Sequence, residues 1–438
     1  MRRGDIRKLL VLESLPKPVN FSGGPDLVSW LGTFTLERVL GTVPVEEDGS
    51  ACFEAPAGRQ VFFEALDAKD LSVKRMQSFT CVMPGEVLGC PGCHEQRTRA
   101  PRNAGTASLM AMRRAPSRIE PFQGFPDVLD FTRDVQPILD RHCVRCHGFE
   151  RREGRLLLTG DLGPDFSFGY FGLMARKQFA DGRNGLGNRL PRTIGSSASP
   201  LLAKAAGGHH DVRVSDGEWR TLWLWIESGA PYAGSYAGLR NAEDQNRAGG
   251  ATALTYRSAV EVIGRRCASC HGPGGKAPPV PVQFDVEARK AKLARQGQVT
   301  GAYERILDDD DPYARFGDGI LLNFSRPSLS PLVLGPLAKE AGGWGSCGDV
   351  FPHREDPDFK KLVAAVEEGK KAIDATGRFT TASVRPNGQY IREMKRFGIL
   401  PASFDISRQP LDIFQTDQEY WKSLWPRPPS TAQSSTAQ

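Results

Sequence analysis

Phe131-Thr132-Arg133-Asp134-Val135-Gln136-Pro137-Ile138-Leu139-Asp140-Arg141-His142-Cys143-Val144-Arg145-Cys146-His147 is the stretch that decides how this chain is built. Val135, Ile138 and Leu139 recur at helical spacing, which predicts a short helix running into a Cys-x-x-Cys-His motif. Two thiols three residues apart on one helical turn can meet the two vinyl groups of one porphyrin, and the next residue's imidazole then falls under the iron. The motif reads as a covalent c-type haem site with His147 as proximal ligand.

The same pattern stands at Cys90-Pro91-Gly92-Cys93-His94 and at Cys267-Ala268-Ser269-Cys270-His271. Chance produces such a match roughly 0.003 times in a chain of this composition, so three make a signature. Structural zinc pairs its Cys-x-x-Cys knuckles over about 12 to 20 residues. These sites lie about 50 and 124 residues apart. A thioredoxin-like reading lacks its βαβ surroundings. Cys52, Cys81 and Cys347 are left unassigned.

Around the second and third motifs the sequence repeats. An offset of 124 places Ile138-Leu139 on Val262-Ile263 and Arg141 on Arg265. Ser199-Pro200-Leu201 matches Ser330-Pro331-Leu332, and Leu202 to Gly208 matches Leu337 to Gly343. Trp219, Leu222, Ile226 and Gly229 then match Phe359, Leu362, Val366 and Gly369, each set predicting a short amphipathic helix ended by a glycine C-cap. Upstream, residues 34 to 82 alternate apolar and polar positions in short runs broken by Asp48-Gly49 and Pro56 to Gly58, as strands do. Arg97 to Ile119 reads as a basic linker or wrap.

The expected fold is therefore α+β. A β-rich module with the first motif spans 1–125, and two mainly α-helical cytochrome c domains span 126–245 and 246–426. A disordered tail completes the chain at 427–438. With 47 Gly and 32 Pro among 438 residues, the chain suits loops wrapped around a bulky cofactor. Its net charge of +6 is interspersed, which offers no nucleic-acid footprint, and no apolar run is long enough to span a bilayer. Arg141, Arg145, Arg151 and Arg152 either neutralise haem propionates or form a solvated surface. The N-terminus offers only Leu9 to Leu12 as an apolar run. Because haem c is attached outside the cytoplasm, a periplasmic-type location and an N-terminally incomplete chain are expected.

Seven histidines less three proximal ones leave His142, His209, His210 and His353 as ligands. His209 or His210, after a Gly-Gly turn, is expected to reach over the second haem, with His209 preferred. His142 directly precedes Cys143 and lies on the attachment side. In the third module Trp344 stands at the position of His209, so Met394, or else His353, is expected to ligate there. Near the first haem the soft ligands are Met76 and Met83, or the position is open, which makes that haem a catalytic candidate.

Leu10-Val11-Leu12-Glu13, Pro16-Lys17-Pro18-Val19-Asn20, Leu40 to Ser50 and Gly89 to Glu95 resemble the hydrazine synthase alpha subunit and its multihaem relatives. Ser325-Arg326-Pro327, Tyr390 to Pro401 and Tyr420 to Trp425 are similar to the C-terminal part of the same group. The resemblance implies a β-propeller ahead of the haem-bearing middle domain, in a missing N-terminal domain or a partner. It also implies an active first haem at His94 that makes N–N bonds, and a bis-histidine relay at His147. This sequence departs from the family at Thr98, where a tyrosine supplies the unusual iron ligand, so that ligation does not carry over.

The functional expectation is a multihaem c-type cytochrome that transfers electrons with a redox partner protein. The alternative is an oxidoreductase whose first haem acts on a small nitrogen or oxygen compound.

Overall fold

Leu10, Val11 and Leu12 are fully buried, because the apolar run that is too short for a leader forms the middle of an interior strand. The structure is a computed structural model describing residues 4–20, 28–29, 35–76, 78–90, 109–179, 190–238, 242–280, 321–375 and 386–425, with the backbone alone for 242–249. Its sheet comprises β1 (Lys8–Ser14), β2 (Glu37–Pro44), β3 (Val61–Leu66) and β4 (Ser72–Arg75), antiparallel in the order β2-β1-β3-β4. Leu10, Leu12, Phe62 and Leu66 face one core and Val11, Val43 and Val61 the other, the period-2 alternation expected of strands covered on both faces. A bulge between Val11 and Leu12 bends the β1–β2 pair. At Gly41 (φ 136°) a Cβ would stand 2.1 Å from the Glu120 carbonyl oxygen, so only glycine lets the returning chain bond there.

The helices follow. A π-type turn, Phe131–Val135, runs into α1 (Gln136–His142) and α2 (Val144–His147). Then come α3 (Phe168–Ala175), α4 (Pro200–Ala205) and α5 (Asp216–Glu227), followed by α6 (Ala242–Arg266) and α7 (Ala268–His271). Later described helices are α8 (Pro331–Leu334), α9 (Pro357–Asp374), α10 (Gly388–Arg396) and α11 (Ile413–Ser423). The chain is thus α+β: a small antiparallel sheet with helices.

The cores do not follow the expected boundaries. One cluster joins Leu10, Leu12 and Phe62 of the sheet to Phe131, Tyr170, Trp223 and Trp225. It also takes in Tyr390, Met394, Tyr420 and Trp421 of α10 and α11. The C-terminal helices assigned to 246–426 therefore pack on the sheet-side body. Asp417 of α11 ties them there, accepting from Ser235 Oγ (2.8 Å), Tyr236 N (2.7 Å) and Tyr390 Oη (2.6 Å). A second core pairs Tyr256, Ala259 and Val262 of α6 with Leu362, Val366 and Ile373 of α9.

Gly229 lies just beyond α5 with φ 83°, as a C-cap glycine does. Gly369 differs. It lies inside α9, where a Cβ would meet Thr255 Oγ1 at 1.9 Å, so it lets α9 approach α6 instead of ending the helix.

Under the sheet, Arg75 meets Glu64 (2.9 Å) and Glu37 (2.5 Å) and donates to the Glu227 carbonyl (2.8 Å), all within buried surroundings. Burial, together with the charge of Glu227 and against that of Arg75, pushes the Glu64 carboxyl well above its ordinary range.

Candidate functional site

Cys143 and Cys146 sit on one tight turn because the backbone closes there. Cys143 N donates to the Leu139 carbonyl (2.8 Å), and Cys146 N (3.1 Å) and His147 N (2.9 Å) both donate to the Cys143 carbonyl. The third motif repeats this geometry. Cys267 N reaches Ile263 O at 2.9 Å, and Cys270 N and His271 N reach Cys267 O at 3.1 and 2.9 Å. Both histidines are held by a backbone carbonyl: His147 Nδ1 lies 2.9 Å from Glu153 O and His271 Nδ1 lies 2.6 Å from Pro278 O. A proton held on Nδ1 leaves Nε2 as the lone-pair nitrogen, the arrangement usual in metal-ligating histidines.

Further pairs brace both turns. Arg141 meets Glu218 at 3.0 Å, and its repeat mate Arg265 meets Asp358 at 2.5 Å. Glu218 and Asp358 went unnoticed in the sequence, although each directly precedes a matched aromatic, Trp219 and Phe359. Glu218 also meets His142 Nε2 at 3.1 Å, which commits His142 to a carboxylate. Arg151 pairs with Glu153 (2.6 Å), and Arg152 lies over Trp344, so these arginines have protein partners of their own.

His209 faces His147. Their ring centres are 6.0 Å apart and their planes 17° apart. An ion held between two imidazole nitrogens would set the ring centres about 6 Å apart, from two bonds of about 2 Å and about 1 Å within each ring. The spacing of the two rings therefore matches that of two imidazoles with one metal ion between them. Gly207 (φ 105°) opens this loop, and His210 (φ 45°) and Asp211 (φ 59°) follow in the left-handed region that non-glycine residues avoid. His210 packs against His209 at 4.5 Å with its ring turned by 71°, so the loop offers His209, not His210, to His147. Burial, then the charges of His210 and His147, lowers the pKa of His209 and favours the neutral, ligating form.

Burial, with Cys146 and Asp140 adding to it, pushes the Cys143 thiol up to about 11. Such a thiol is not a standing thiolate. Among the described residues no three His, Cys, Asp or Glu side chains converge as a metal cage.

The other expected ligands fall elsewhere. Met394 is fully buried with Tyr390, Tyr420 and Trp421 in the sheet-side core, separate from the core under the third motif, so this placement does not bring it to His271. His353 is exposed ahead of α9. Near the third motif the structure brings Cys347, whose thiol is raised by burial and by Cys270 against Arg152. Of the first motif Cys90 is described and exposed, whereas Cys93 and His94 lie outside the described residues. Met83 is exposed and Met76 packs against the sheet-side core. No described helix is long and apolar enough to cross a membrane.

Comparison with known proteins adds one family. The model of the hydrazine synthase alpha subunit middle domain matches residues 23–95. A solved Kuenenia stuttgartiensis Hydrazine Synthase aligns at 17% identity and a TM-score of 0.39, over 53% of this chain and 40% of that one. The chain thus spans well under half the length of that structure. No curated protein matches. Over residues 23–95, the chain is thus similar to the hydrazine synthase alpha subunit middle domain.

Proposed function

We propose that the chain is a triheme c-type cytochrome of an extracytoplasmic compartment, with haem attached at Cys90/Cys93, Cys143/Cys146 and Cys267/Cys270 and the second haem held by His147 and His209. The observation that carries this reading is the nearly parallel His147–His209 pair at 6.0 Å. Bound haem would supply a ferric/ferrous couple, taking one electron from a reduced partner protein and passing one to an oxidised acceptor. The chain's own part is to hold two imidazoles in place. Glu153 fixes the His147 proton on Nδ1, and the 207–211 loop holds the opposing ring. Two imidazoles bound to the same iron would leave a small molecule no place on it.

A second reading is favoured by the family match, which runs to the first motif. On it, the haem at His94 has an open position and acts on a small nitrogen or oxygen compound, fed by the other two. A propeller-bearing partner or further domain belongs to either reading.

The test is expression in a host competent for c-type maturation, followed by haem quantitation and EPR, then carbon monoxide and nitric oxide added to the reduced protein. Three haems per chain, all low-spin and inert to both gases, is the result for electron transfer. A high-spin, gas-binding haem that survives substitution of His147 and His271 but not of His94 moves the assignment to the enzyme. Absence of covalent haem would overturn both.

A further inference from the structure

Trp344 stands in the third module where His209 stands in the second, and the backbone agrees with that equivalence. Gly207 N donates to Lys204 O (3.2 Å) as Gly342 N does to Lys339 O (2.9 Å). Gly208 N donates to Ala203 O (3.1 Å) as Gly343 N does to Ala338 O (2.9 Å). The side chains part company. His209 faces its own motif, whereas Trp344 reaches into the neighbouring module. Its indole N–H donates to the Phe149 carbonyl at 3.0 Å, and its ring lies 6.4 Å from that of Phe149 with planes 15° apart. The Arg152 guanidinium sits 3.7 Å from the indole centre and donates to Ser346 Oγ at 3.1 Å.

Phe149 and Arg152 belong to the turn that follows His147. Arg152 holds φ 42°, its N–H bonds back to Gly148 O at 2.8 Å, and the next residue is Glu153, whose carbonyl meets His147 Nδ1. The contact has a firm base. Asp161 and Arg326 form a two-pronged ion pair (2.6 Å on each arm), and Phe324 N donates to Leu162 O (2.8 Å). Phe149, Leu157, Phe168 and Leu334 close an apolar cluster around Trp344.

We propose that Trp344 is a positioning residue for the second haem: through Phe149 and Arg152 it braces the turn whose Glu153 carbonyl orients and polarises His147. The ligand position of one repeat has become a brace on its neighbour's ligand. Hydrogen bonding at Nδ1 makes an imidazole a stronger donor, which favours ferric iron. Loosening the brace therefore moves the second haem's potential upward and changes the angle between the two imidazole planes.

This rests on haem bound between His147 and His209, and the test separates the two claims. Midpoint potentials and low-temperature EPR are recorded for the wild type, Trp344→Leu and Trp344→Phe, the component lost in His209→Ala identifying the second haem. Trp344→Leu is expected to shift that haem alone, in potential and in its largest g value. Trp344→Phe, which keeps the ring but loses the N–H, should restore part of the shift. A wild type without a bis-histidine signal overturns the proposed function and the brace with it. An intact wild-type signal that ignores Trp344→Leu, or equal shifts at every haem, overturns the brace alone. If Trp344→Leu does not accumulate, Trp344→Phe and Phe149→Leu are read by the same criteria.

Discussion

Replacing Asp417 with Asn should remove a pH-dependent part of stability that the wild type carries. Asp417 is fully buried, and that burial pushes its carboxyl from 3.8 to about 6, against the hydrogen bonds from Tyr390, Ser235 and the Tyr236 backbone. A raised folded-state pKa means that folding favours the protonated acid. The contribution is complete below pH 3.8 and is lost as pH rises through about 6. At about 1.4 kcal/mol per pKa unit, the loss is about 3 kcal/mol. In Asp417→Asn the amide oxygen can still accept from Ser235 and Tyr236 while the amide N–H donates to Tyr390 Oη, so the packing survives without a titrating group. Urea denaturation followed by far-UV circular dichroism, from pH 4 to pH 7.5, gives the wild-type minus variant difference. That difference should fall by about 2.5 kcal/mol across the range, the remainder being lost below pH 4. A flat difference, or one that grows with pH, would show that hydrogen bonding outweighs burial at Asp417 and refute the reasoning.

On the proposed triheme reading, His209→Ala should make about one haem in three newly reactive towards carbon monoxide, read against total haem, because it would remove one of that iron's two imidazoles. His210→Ala should leave the gas spectrum unchanged. Arg75→Met leaves Glu37 and Glu64 without their cation and should cost about 3–5 kcal/mol near neutral pH, less in acid where both carboxyls hold protons, as urea titration would show. Gly369→Ala forces α9 away from Thr255 and should cost about 1–3 kcal/mol, measured as a fall in the thermal midpoint.

The turns at the Cys-x-x-Cys-His motifs were legible in the sequence because they are local. Cys143 to His147 close through bonds to Leu139 and Cys143 itself, so spacing alone dictates the turn, and the repeat at Cys267 copies it bond for bond. The strands at 37–44 and 61–66 were legible for the same reason, since a period of two appears wherever a strand is covered. The pairing of Arg141 with Glu218 was half legible, because only one partner was matched across the repeats.

What the tertiary structure decided depends on residues far apart in the chain. Which of His209 and His210 faces His147 follows from the left-handed backbone at 210 and 211. Met394 enters the sheet-side core because Asp417 ties α11 to Tyr236, 181 residues away. Gly369 serves a helix crossing with Thr255, and Trp344 finds Phe149 across a contact of 195 residues. Spacing and periodicity report what one segment can form by itself. Which buried surfaces meet is settled by packing and by pairing buried polar groups, and neither is written within a single segment.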